Sequence, residues 1–218
     1  MHTLNIFGST GTIGTKTLKI IKNYFPKISI NLLVAHNNYK KLAKQTEIYK
    51  PQYICLANKN KYINLKKCLN NNKVKKLKEE ELSNFLKTTK SDLTILSISG
   101  YASLNYIKSI IINTSQLGIV NKECIISGGN LIKKTCSLYK TKLYALDSEH
   151  FSIQNYFDTK KNIKNNNIRN IYLTASGGPF LNKKFKDIKF ASLGDAIKHP
   201  KWKMGIKNSI DSSNLVNK

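Results

Sequence analysis

The stretch NIFGSTGTIGTKTLKII, Asn5 to Ile21, restricts the folds open to this chain more than any other. A short apolar run enters Gly8, Gly11 and Gly14, and an apolar helical period begins at once. Glycine lets a backbone turn tightly and approach a pyrophosphate, which then rests on the N–H groups and positive end of the following helix. The spacing G-x-x-G-x-x-G is a variant of the commoner G-x-G-x-x-G, and such a turn alone also suits a purely structural bend. Its position at the first strand–helix junction of an alternating chain favours the dinucleotide reading.

The alternation runs over residues 1–150. Leu4–Phe7, Ile28–Ala35, Tyr53–Ala57, Leu93–Ser99 and Leu117–Val120 have the length and composition of strands. Leu18, Ile21 and Phe25, then Leu104, Ile107 and Ile111, recur three and four apart, as on helices with one buried face. Strand and helix in turn imply a parallel sheet with right-handed crossovers, covered on both sides. The predicted class is α/β, a Rossmann-like doubly wound parallel sheet. A second region, residues 151–218, carries the polar loop DTKKNIKNNNI, a strand-like NIYLTAS and the turn SGGPF. The chain stops at LVNK without a helix stop signal, so an interruption within an element is expected there.

With 218 residues the chain can bury a real core. Its net charge of +25 would attract polyanions, but Arg169 is the single arginine among 37 basic residues. Arginine is the side chain favoured for bidentate reading of bases and phosphates, and the lysines are scattered, so no specific nucleic-acid function is expected. Cys55, Cys68, Cys124 and Cys136 show neither a C-x-x-C pair nor zinc spacing. They read as small core residues in a reducing compartment. No apolar run is long enough to span a bilayer, and MHTLNIFGS enters a strand directly, so a cytoplasmic location away from membranes is expected.

An NAD-specific site usually carries an acid at the end of its second strand. Here that strand ends in His36, Asn37 and Asn38, followed by Lys40 and Lys41, donors and cations that suit a 2′-phosphate and favour NADPH. Lys40 and Lys41 taken singly are better read as helix surface. Further on, KLYALDSEH reads as a strand that ends in Asp147 and Glu149, whose alternate positions share one face. Two carboxylates on one face need a positive group between them, either a hard divalent cation such as Mg2+ or a lysine. No Lys or Arg occurs from Leu143 to Thr159, which weakens the local form of the lysine reading. Ser176 in SGGPF and Ser212, Asn217 and Lys218 in DSSNLVNK supply donors of the kind that hold a phosphate monoester, while His199 and Trp202 flank Pro200 in HPKWKMG. A loop around Gly205 could close over it.

With GSTGTIG, VNKE, LDSEH, SGGPF, HPKWKMG and DSSNLVNK in this order, the chain closely resembles the 1-deoxy-D-xylulose 5-phosphate reductoisomerase family along its whole length. The resemblance implies an NADPH-binding domain over 1–150 and the first part of an α+β catalytic domain over 151–218. It implies that Thr10, Gly11, Thr12, Ile13, His36, Asn37, Asn38, Asn121, Glu123 and Gly205 meet the cofactor, and that Asp147 and Glu149 ligate Mg2+ or Mn2+. Lys122, Ser148, Glu149, Ser176, His199, Ser212, Asn217 and Lys218 would contact a sugar phosphate substrate. Lys122, Asp147, Glu149 and His199 would serve catalysis, and His199, Trp202 and Met204 belong to a closing flap. The implied reaction is the NADPH-dependent rearrangement and reduction of 1-deoxy-D-xylulose 5-phosphate to 2-C-methyl-D-erythritol 4-phosphate, by a homodimer when full length. His36 stands where the family usually has Gly. The family's third metal-binding acid falls a few residues past Lys218, so two of three are expected here. A noncatalytic NADPH-binding remnant of the same family and a basic RNA-binding module are the alternative readings.

Overall fold

The computed structural model describes residues 2–69, 73–159, 168–203 and 205–215. These fall into two compact units, Met1–Thr159 and Lys160–Lys218. The first unit alternates strands and helices: β1 (His2–Phe7), α1 (Thr12–Tyr24), β2 (Ile28–Ala35), α2 (Tyr39–Tyr49), β3 (Tyr53–Leu56), α3 (Lys59–Cys68), β4 (Lys75–Leu77) and α4 (Glu79–Thr88). It continues through β5 (Ser91–Leu96), a 3-10 turn (Tyr101–Ser103), α5 (Leu104–Ile112), β6 (Thr114–Ile119), α6 (Lys122–Tyr139), β7 (Lys142–Ala145) and α7 (Ser148–Thr159).

The seven strands form one sheet in the order β4-β3-β2-β1-β5-β6-β7, and every pairing is parallel. From β1 the chain winds outward to one edge through β4, then returns to the centre and winds to the other edge through β7. The strand order therefore reverses between β1 and β5, the place where open α/β sheets bind ligands beyond the carboxyl ends of their strands.

Strand periodicity divides the core in two. Leu4, Ile6, Leu33 and Ala35 pack with Leu18 and Ile21 of α1, Leu42 and Ala43 of α2 and Leu65 of α3. The alternate residues Phe7, Leu32 and Val34 pack with Leu82, Phe85 and Leu86 of α4, Ile107, Ile110 and Ile111 of α5, and Cys124, Ile132 and Cys136 of α6. Each fully buried leucine stabilises the fold by about 2 kcal/mol relative to leaving it in water.

The sheet and both helical layers follow the expected α/β class, with differences of detail. The lysine-rich segments Lys59–Cys68 and Lys75–Leu77 form α3 and β4, and Leu65 is the one buried residue of α3. Cys68 is exposed at the end of α3, whereas Cys55, Cys124 and Cys136 are buried as expected. The strand expected through LDSEH ends at Ala145, and Ser148 begins a helix. Asp147 causes this change: its Oδ1 accepts from His150 N–H at 3.1 Å, and its carbonyl accepts the first helical bond from Phe151 N–H at 3.0 Å. An aspartate at that position caps a helix instead of extending a strand.

The second unit contains α8 (Phe185–Ile188), α9 (Leu193–Ala196) and α10 (Ile206–Asn214). The strand-like run NIYLTAS forms no strand and joins no ladder among the described residues, and Ile171, Tyr172 and Leu173 are exposed. A strand is held by its ladder, so propensity alone leaves it irregular. Among the described residues no helix is long and apolar enough to cross a membrane.

Candidate functional site

The carboxyl ends of β1, β2 and β5 meet through register. Phe7 lies opposite Val34 and Leu96, and Gly8 and Ser9 both donate their N–H to Val34 O, at 2.9 and 3.0 Å. Gly8 has φ +81°, and its Cα sits against the Ser97 carbonyl, so a side chain there would be both strained and obstructed. Gly14 lies flat against the backbone of Gly8 and Ser9, which lets α1 begin directly over the turn. Gln45 of α2 pins that turn from below, its Nε2 donating to Ser9 O at 2.8 Å. Sequence reasoning missed Gln45, because a polar residue inside a helix carries no signal until the helix is placed over the turn.

The turn leaves the N-terminus of α1 open. Gly11 is its N-cap and offers no side chain, and the first turn contains no acid among the described residues. The N–H groups of Thr12, Ile13 and Gly14 have no intrahelical acceptors, so they and the helix dipole favour an anion. Thr10 is half-buried, while Gly11, Thr12 and Ile13 are exposed. After β2, His36, Asn37 and Asn38 are exposed together. Asn38 Oδ1 caps α2 by accepting from Lys41 N–H at 3.0 Å, and Asn37 Oδ1 accepts from Asn58 Nδ2 at 2.6 Å. No carboxylate occurs in this loop, so the donor set fits a dinucleotide pyrophosphate with a further phosphate nearby.

At the ends of β6 and β7 the acids come together. Ile119 is in register with Ala145, so the residues that follow the two strands are neighbours. Lys122, at the start of α6, places Nζ 2.9 Å from Glu149 Oε2 and 3.8 Å from Asp147 Oδ1. His150 Nδ1 lies 2.7 Å from Asp147 Oδ2, and Ser148 donates its hydroxyl to Glu149 Oε2 at 2.8 Å. The cation missing from the local sequence is thus supplied from across the strand pair. Asp147 and Glu149 share a site as a helix cap and a first-turn residue, where the same-face strand geometry had been expected. The sequence reading gave the imidazole of His150 no role beside the two carboxylates, although its place three residues after an aspartate able to cap a helix was a signal. The two carboxylates offer hard oxygen donors and already surround a positive charge, which fits Mg2+ or Mn2+. Among the described residues no group of three or more His, Cys, Asp or Glu could complete such a site.

Asn121 caps α6 by accepting from Cys124 N–H at 3.0 Å, and its Nδ2 donates to Ile98 O, Gly100 O and Ser103 Oγ. Its side chain is therefore engaged within the protein, which leaves its backbone for a ligand. Glu123 follows in the first turn of α6, half-buried.

Within the second unit, His199 Nε2 lies 2.9 Å from Ser176 Oγ. Its Nδ1 accepts from Lys201 N–H at 3.2 Å and from Trp202 N–H at 3.1 Å. The ring stacks on Trp202, with centroids 5.2 Å apart. Gly178, with φ +62°, packs against the Ser212 backbone, bringing the SGG turn to α10. Ser212 is buried and donates to Ser209 O at 2.8 Å. Gly205 is the exposed N-cap of α10. Met204, Asn217 and Lys218 lie outside the described residues.

A doubly wound sheet with an open glycine turn at its switch point and an acid pair at its carboxyl edge is the architecture of an α/β protein with a candidate dinucleotide site and a candidate metal centre. The comparisons with known proteins carry this further. The family profile described as 1-deoxy-D-xylulose 5-phosphate reductoisomerase matches residues 4–129, and that of the same family's C-terminal domain matches residues 143–218. The chain belongs to the 1-deoxy-D-xylulose 5-phosphate reductoisomerase family. It is 43% identical to the reductoisomerase of Pelagibacter ubique, covering 100% of this chain and 56% of that protein. With that of Wigglesworthia glossinidia brevipalpis it shares 38% identity over 100% of this chain and 58% of the relative. The Zymomonas mobilis enzyme in complex with NADPH superposes with a TM-score of 0.82 at 28% identity, covering 99% of this chain and 55% of the other. A reductoisomerase in complex with NADPH, fosmidomycin and magnesium gives a TM-score of 0.84 at 29% identity, covering 100% of this chain and 55% of that one. The chain thus spans a little over half the length of these relatives.

Proposed function

We propose that the chain forms the NADPH-binding domain, residues 1–150, and the first part of the catalytic domain, residues 151–218, of an enzyme converting 1-deoxy-D-xylulose 5-phosphate to 2-C-methyl-D-erythritol 4-phosphate. The observation that carries this reading is the placement of an open dinucleotide turn and the Asp147–Glu149 pair along the same edge of one sheet.

Thr10, Gly11, Thr12 and Ile13 would meet the pyrophosphate, with Thr12 and Ile13 offering N–H groups that have no intrahelical acceptor while the Gly11 N–H closes the turn on Gly8 O, and His36, Asn37 and Asn38 would face the adenosine phosphate. Asn121, Glu123 and Gly205 complete the proposed cofactor contacts, and NADPH supplies hydride when bound. Asp147 and Glu149 would hold Mg2+ or Mn2+, with Lys122, Ser148 and Glu149 turned to the substrate oxygens. Because His199 Nδ1 accepts two backbone N–H groups, the neutral ring carries its proton on Nε2 and donates it to Ser176. The Ser176 hydroxyl hydrogen is then free for a substrate phosphate. Ser212, which donates to Ser209, joins that shell by turning its hydrogen outward, and Asn217 and Lys218 are assigned to it by the family resemblance.

A homodimer is part of the proposal, as is a cytoplasmic location, which the free thiols support. Specific nucleic-acid binding is not. Fluorescence titration with NADPH and NADH tests the reading: NADPH should bind more tightly, and Thr12→Asp, which puts an acid at the helix N-terminus, should abolish the binding. Salt-resistant, sequence-selective RNA binding without affinity for NADPH would overturn it.

A further inference from the structure

We infer that the Lys122 ammonium is a resident counter-ion of the acid pair, and that a divalent cation binds by displacing it and so releases Lys122 toward the substrate. The inference rests on the metal reading above and adds a competition within it. The side chain of Asp147 is 6% exposed, that of Glu149 18% and that of Lys122 22%, so water screens the three charges only in part. Two carboxylates that close destabilise each other unless a cation lies between them. Lys122 is that cation here, directly on Glu149 and at the longer distance from Asp147. His150 already holds the other oxygen of Asp147, so that carboxylate stays oriented when the lysine leaves.

An ammonium and a divalent ion cannot both occupy the space between the same two acids, because they repel each other and compete for the same oxygens. The lysine has the means to withdraw: a flexible four-carbon stem with three rotatable donors. Its anchor does not move with it, since α6 is capped by Asn121 through a network tied to Ile98, Gly100 and Ser103. Lys122 therefore protects the acid pair from self-repulsion and becomes available to a ligand only after the cation has arrived. Binding is ordered, cation first, by charge alone.

Mn2+ affinity measured by electron paramagnetic resonance, together with melting in EDTA and in Mn2+, tests this on the chain and its variants. Lys122→Met should bind Mn2+ about tenfold more tightly. Its melting temperature should fall in EDTA and recover in Mn2+. Lys142→Met, which removes an exposed charge from β7, should leave the affinity unchanged. Equal or weaker Mn2+ binding by Lys122→Met, or an equal gain in Lys142→Met, would overturn the inference. The parent chain gives an independent readout, because acylation of Lys122, followed by mass spectrometry against the other lysines, should increase on adding Mn2+; unchanged labelling also overturns it. If neither the parent nor Lys122→Met binds Mn2+, the metal reading itself fails and takes the inference with it.

Discussion

His199 and Ser176 are 23 residues apart in the chain and meet through a 2.9 Å contact between Nε2 and Oγ. The two N–H groups on the far side of the ring set which nitrogen carries the proton. Replacing His199 with Phe keeps a ring for Trp202 to stack on but removes both nitrogens. The amides of Lys201 and Trp202 then lose their acceptor, at a cost of about 1 kcal/mol each. Hydrogen exchange at these two amides should accelerate about fivefold or more while emission from Trp202, the chain's one tryptophan, changes little. Unchanged exchange would show that the ring does not organise the loop.

Gly14→Ala should disturb the dinucleotide turn. The added Cβ meets the backbone of Gly8 and Ser9, which cannot yield as a flexible side chain would. A loss of about 1–3 kcal/mol is expected from the overpacking, together with weaker NADPH binding. Chemical denaturation and NADPH titration measure the two effects, and wild-type values in both would refute the close helix–turn approach.

The four cysteines should separate by reactivity. Burial pushes the Cys55 thiol up to about 12, with Glu79, Glu81 and Glu80 adding to the effect. Burial raises Cys124 and Cys136 as well. The thiolate is the reacting species, so native protein at neutral pH should label quickly at the exposed Cys68 alone, and at all four positions once unfolded. Rapid native labelling of Cys55 would contradict its place in the core.

Asp92 joins β5 to β1 at the amino-terminal edge of the sheet. It accepts from Thr3 N–H at 2.7 Å and from the Thr3 hydroxyl at 2.9 Å, and these bonds lower its pKa below the ordinary 3.8. A depressed folded-state pKa contributes stability that is present above the unfolded value and disappears as pH falls through the folded one. Asp92→Asn should therefore melt lower than the parent at neutral pH, with the difference shrinking below about pH 4. A constant difference down to pH 2 would mean that the carboxylate charge plays no part.

Much of the first unit was legible in the sequence because its strands announce themselves. Ile28–Ala35 is apolar except for Ser29 and Asn31 and matches β2 to the residue, since a strand covered on both faces has little polar side to show. Gly8, Gly11 and Gly14 were legible for a similar reason: their requirement is local, in the turn itself. Less was visible where an outcome depended on a partner. NIYLTAS has strand propensity but no ladder among the described residues, and LDSEH was read as a continuing strand although Asp147 starts a helix.

The acid pair marks the boundary between the two kinds of information. Sequence by itself determined that two carboxylates lie close together and demand a positive neighbour, because repulsion at short range follows from spacing alone. It could not choose that neighbour. Lys122 was selected by the parallel pairing of β6 with β7, which sets Ile119 beside Ala145 and carries a residue 25 positions upstream of Asp147 into the same site. Coulomb attraction acts through space, and only the tertiary structure decides which distant charges become near ones.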